Sequence, residues 1–122
     1  MRAGGERGSA TVWTVALATV LALVGAATVL VGAAVVARHR AGAAADLTAL
    51  AVAGRAVLGD LAACATGSSV ARANGAELTG CTVGPDAVVE VAIAVPVRLG
   101  PVGVTQAVGR ARAGPVPWGA DP

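Results

Sequence analysis

The groups in this chain that could do chemistry are two cysteines, one histidine and a few serines and acidic residues. Cys64 and Cys81 are the only thiols. Oxidised, they would close a loop of roughly 16 residues, worth about 3 kcal/mol; two unrelated buried thiols are the open alternative. Two thiols and the distant His39 do not match the ligand spacings of zinc sites, so neither a metal nor a cofactor is expected. His39 stands between Arg38 and Arg40 and reads as a solvated interfacial side chain. Acyl transfer would need a nucleophile with a base and an orienting group, and Ser9, Ser68 and Ser69 have no evident partner. The glycines do not form a strand-to-helix pattern ahead of a Lys, so there is no phosphate loop. Asp46 and Asp60 read as helix charges open to solvent, to Arg40 or Arg55, or to another subunit. The chain does not read as an enzyme.

Positioning these residues falls first to a long apolar run. From Gly8 to Ala37 there is no ionisable side chain, and roughly 20 apolar residues suffice to cross a bilayer core as a helix. A secretory signal has an apolar region of about 7 to 15 residues, shorter than this run. Cleavage near Ala43 or Ala45 is the secreted alternative. Each Arg at mid-membrane costs about 2.5 to 3.5 kcal/mol, so Arg38 and Arg40 should stop the span. Arg2 and Arg7 before the span nearly balance them, and the cysteines decide orientation. Both follow the span, and disulfides persist outside the cytoplasm. The expectation is a single-pass membrane protein, N-terminus cytoplasmic and C-terminal head extracytoplasmic.

The head that remains, roughly 60 to 75 residues, is small for a self-sufficient core. Alanine makes up about a quarter of the chain, Phe and Tyr are absent, and Trp13 and Trp118 lie near opposite ends. Staples or partners are therefore expected. The net charge of +2 comes from arginines alone. Arg98, Arg110 and Arg112 have no interleaved aromatics to stack bases, so nucleic acid is not an expected partner.

Beyond the span, "AGAAADLTALAVAGRAVLGDLAACA" is rich in helix formers and free of Pro. Leu47, Leu50, Gly54, Val57, Leu61 and Cys64 recur at spacings of three and four, one stripe of an amphipathic helix expected to pack on the head. A continuous helix from Ser9 to Ala65 would be on the order of 85 Å long. Small residues repeat every fourth position at Ala18, Ala22 and Ala26, and from Ala33 through Ala37, Ala41, Ala45 and Ala49 to Ala53. Such rows let helices approach closely in lipid. "TGSSVARANGAELTG" reads as a polar, Gly- and Ser-containing connection between the two cysteines, with room for a helical turn. After it, Val89, Val91, Ile93, Val95 and Val97 alternate as a strand, with Pro96 arguing for an edge or strand end. "LTGCTV" is a shorter partner strand. A third strand puts Ala107, Gly109, Ala111 and Ala113 on one face, suited to an Ala-rich helix.

The expected fold is α+β: a long N-terminal helix, half transmembrane and half amphipathic, packed on a small antiparallel sheet of about three strands. Its parts are a basic leader at 1–8, the transmembrane helix at 9–37, its amphipathic continuation at 38–65, a loop-and-sheet head at 66–114 and a flexible tail at 115–122. This build resembles a type IV pilin-like subunit. "RGSATVWTVALATV" and "RHRAGAAADLTALAVAG" resemble the TadE and TadG-like pseudopilins of Flp (tight adherence) pili. "VAIAVPVRLGP" and "ARARAGPV" are similar to small actinobacterial TadE-like proteins.

The resemblance implies a minor pilin or pseudopilin of a Flp-type pilus or related secretion apparatus. Its partners would be the membrane, other pilin-like subunits and a Tad-type secretion machinery. A prepilin peptidase would cut between Gly8 and Ser9. The family pattern has Glu at the fifth mature position, where this sequence has Trp13, so the usual pairing with a neighbour's N-terminal amine is lost. A membrane-anchored or secreted small binding module, outside any filament, is the second reading.

Overall fold

The computed structural model describes residues 3–117 and 119, with side chains from Gly8 onward. The leader's Arg2, Glu6 and Arg7 side chains, Trp118 and the last three residues of the tail lie outside the described residues. Helix α1 runs Ala3–Val57, α2 Ala63–Ala73, and strands β1 Glu77–Val83, β2 Val89–Arg98 and β3 Val104–Ala113 follow. The chain divides into two compact units, one ending at Ala33 and the other beginning at Ala34.

The first unit is the apolar part of α1. Its Val and Leu side chains stand exposed, as lipid-facing residues would. The hydroxyls of Thr14, Thr19 and Thr28 donate to the carbonyls of Ala10, Val15 and Val24, each at 2.8 Å. These back-bonds satisfy polar groups that would otherwise face hydrocarbon unpaired. The helix is long and apolar enough to cross a membrane.

The second unit holds the rest of α1, α2 and the sheet. Contrary to the expected continuation to Ala65, α1 stops at Val57. Gly59 adopts φ +77°, its N–H donates to Ala56 O at 3.0 Å, and the Asp60 N–H donates to Arg55 O at 3.2 Å. This is a Schellman stop, which needs a left-handed residue and so favours Gly. The Asp60 side chain accepts from the Ala62 N–H at 2.8 Å, turning the chain into α2. Asp60 is thus a turn-forming residue. The expected loop after Ala65 is mostly helix: α2 covers Ala63–Ala73. It ends in a second stop of the same kind at Gly75, with Ala76 N–H to Ala71 O at 2.9 Å and Gly75 N–H to Arg72 O at 3.0 Å.

The sheet is an antiparallel meander in the order β1-β2-β3. The alternating residues Val89, Val91, Ile93, Val95 and Val97 are all buried, as period two requires. Pro96 lies inside the middle strand. The β1 ladder ends at the Glu77–Ala94 pair, so beyond it β2 pairs only with β3. Pro96 therefore sits where the middle strand has a locally open side, which is where a strand tolerates a missing N–H.

Candidate functional site

The residues that join helix to sheet are small. On α1 the buried face is Ala37, Ala41, Ala45, Thr48, Ala49, Val52 and neighbouring alanines. On the sheet side, a Cβ added at Gly109 of β3 would collide with the Ala41 carbonyl and lie 3.0 Å from the Gly42 nitrogen. Backbone meets backbone there, and only a residue without a side chain fits. A Cβ at Gly67 of α2 would strike the Val52 side chain and lie 3.3 Å from the Thr48 methyl. The Ala37-to-Ala53 row, expected to serve helix contacts in lipid, is instead the seat of the chain's own sheet.

The stripe expected to pack on the head points the other way. Leu47, Gly54 and Val57 are exposed, Leu50 keeps 64% of its surface accessible, and Leu61 lies outside α1 in the turn, fully exposed. The spacing of three and four is present, but period alone does not say which of two apolar faces meets the core. Large side chains would hold the sheet away from α1. The Ala face admits it to contact distance, and that choice buries the smaller residues.

Cys64 at the start of α2 and Cys81 in β1 form a disulfide, with Cα atoms 6.0 Å apart and a sequence separation of 17. It ties α2 to the edge strand β1 and compensates for a core whose largest fully buried side chains are Ile93, Val52, Val89 and Thr48. Thr48 enters that core through its methyl, and its hydroxyl is buried with no hydrogen-bond partner. Among the described residues no three His, Cys, Asp or Glu side chains gather in a way that could hold a metal ion.

Gly8, Ser9 and Trp13 all lie within α1, and Trp13 is 74% exposed. They are far in sequence from the seam. The elements that sequence reasoning missed are Gly59 and Gly75 as helix stops and Gly67 as a contact point, whereas Gly109 lies on the small-residue face of β3 that was expected to meet an Ala-rich helix. "LGD" and "NGA" carried the stop signal. A lone Gly in an otherwise regular strand pattern was the signal for close backbone approach at Gly109.

The helix that carries the seam also carries the relationship to known proteins. Residues 8–55 match the Tad family, Flp pilus-assembly TadE/G-like. The TadE/G-like segment takes in the apolar run and the Ala face to within two residues of the end of α1. No curated protein and no solved structure matches the chain. The match supports involvement in a pilus system, and the family is a structural component of pilus assembly not known as an enzyme. Together with the apolar helix it points to a membrane-associated protein.

Proposed function

We propose that this protein is a minor pilin or pseudopilin-like structural subunit of a Flp-type (Tad) pilus or related secretion apparatus. In this reading α1 anchors it with the N-terminus cytoplasmic, and the disulfide-stapled head lies outside. The observation that carries the proposal is the division of labour on the TadE/G-like helix. One face seats the chain's own sheet, while Leu47, Leu50 and Val57 stay exposed on the other. Apolar side chains in a row on a helix outside the bilayer are what a neighbouring subunit would cover. A prepilin peptidase acting between Gly8 and Ser9 would leave an apolar N-terminus to join such an assembly. Trp13, at the place of the usual Glu, favours a priming or tip position over the repeating shaft.

Trp13 also favours a second reading, a membrane-anchored or secreted binding module that never enters a filament, since the amine-pairing carboxylate is missing. Two measurements separate them. Intact mass of the membrane-extracted protein should give a chain starting at Ser9; one starting at Met1 rejects peptidase processing, and one starting near Ala44 indicates secretion. Crosslinking in cells should co-isolate pilin-like subunits with the wild type and lose them in the Leu47→Asp, Leu50→Asp double variant. Equal recovery with both would contradict the role of the exposed face.

A further inference from the structure

Two close contacts locate the sheet along the second part of α1. β3 lies on Ala41 and Gly42 through Gly109, whereas α2, with Leu78 of β1 beside it, lies on Thr48 and Val52 through Gly67. Ala41 to Thr48 or Val52 is about 10 to 16 Å of helix rise. From β3 to β1 is two strand spacings, about 10 Å. The strands therefore step along α1, and β3 is the strand nearest to Arg38, His39 and Arg40.

Charge is sorted in the same direction. Arg110 and Arg112 are on β3, and Arg98 ends β2 beside the first residue of β3. These three, with Arg38 and Arg40, are exposed. Among the described carboxylates of this unit, Asp46 further along α1, Asp60 in the turn and Glu77 on β1 lie away from this group. Glu90, 3.6 Å from Arg112, and Asp86, which lines the same surface depression as Arg112, are the exceptions.

The outward residues of β3 mix apolar with polar and basic: Val104 at 70% exposure, Gln106, Val108 at 58%, Arg110 and Arg112. β3 is also the less protected edge. β1, the other edge, carries a register shift between Leu78 and Gly80, and α2 packs beside it. β3 runs Val104–Ala113 in unbroken register with β2. Exposed Val beside Arg is the chemistry of a membrane interface. Valine enters the headgroup boundary, and each Arg near an anionic surface adds to the attraction.

We propose that the β3 edge, with Arg98, Arg110 and Arg112, docks on the membrane surface and binds anionic phospholipid headgroups. The inference rests on the anchor reading above, since α1 must cross the bilayer just before Arg38 for this edge to face it. Lipid contact would fix the tilt of the head, cover an unpaired strand edge and leave the Leu50 face of α1 clear for a neighbour.

The test is hydrogen–deuterium exchange on the full chain in nanodiscs of phosphatidylcholine alone and of phosphatidylcholine with phosphatidylglycerol. The expected result is exchange over residues 104–113 slowed by roughly fivefold or more in the anionic discs, with the effect weakened by added salt. The Arg98→Ala, Arg110→Ala, Arg112→Ala triple variant should lose the difference, and Arg-to-Lys replacements at the same positions should keep it. The wild-type lipid comparison stands whether or not the variants fold. Equal exchange over 104–113 in both discs, with the apolar part of α1 protected, would overturn the inference and spare the anchor. Unprotected amides in the apolar part of α1 would overturn both. Protection that follows the number of chains per disc and ignores lipid charge would mean that two copies pair along β3, and would also overturn it.

Discussion

Between Ala37 and Val57 α1 presents two faces. One bears Ala37, Ala41, Ala45 and Ala49, all buried against the sheet, and the other bears Leu47, Leu50 and Val57, all exposed. By transfer free energy alone the larger side chains should have been inside, at roughly 25 cal/mol per Å² of buried apolar area. The difference teaches that approach distance decided the face. A sheet strand with Gly at its contact point can lie directly on a helix backbone whose side chains stop at Cβ. Dispersion between backbones packed this closely compensates for the small size of each residue.

The largest expected effect comes from closing that distance. Gly109→Val places branched atoms where the Ala41 carbonyl already sits. It should cost at least the upper end of the about 1 to 3 kcal/mol typical of overpacking. Loss of cooperative unfolding of the head, followed by hydrogen exchange or limited proteolysis, is the expected readout. A head as stable as wild type would show that the sheet does not rest on the Ala face.

Next is the staple. Because the core is built from Ala and Val, the Cys64–Cys81 disulfide should contribute a large share of head stability. Cys64→Ser with Cys81→Ser should lower it by about 2 to 4 kcal/mol. An unchanged denaturation midpoint under oxidising conditions would mean that the small-residue seam suffices without it.

Much of this fold could be read from residues. The strand alternation over Val89 to Val97 and the length of the apolar run each follow from one periodicity or one composition break. The place where α1 stops was harder, because "AVLGDLAACA" is rich in helix formers throughout and only Gly59 opposes them. The stop becomes visible when Gly59 is paired with Asp60, the first supplying positive φ and the second accepting the Ala62 N–H. The packing face was half legible: the small-residue face of β3 pointed to an Ala-rich helix, while the stripe through Leu47 and Leu50 pointed to the opposite face of α1. Ala and Leu rows share the same helical period, and the choice between them depends on Gly109, far downstream in the last strand. The proposed leader junction at Gly8 and Ser9 is not something a folded chain explains, since it would concern an enzyme acting on the protein.

The smallest stability effect is also the most direct test of which face belongs to the head. Leu50→Asp puts a charge on a residue that already keeps most of its surface in solvent. On the present account the purified full chain should unfold at the wild-type midpoint to within about 0.5 kcal/mol, with the same protease-resistant, disulfide-linked head. A midpoint lowered by several kcal/mol, or loss of the resistant head, would mean that Leu50 is buried against the sheet, and the assignment of the two faces would be reversed.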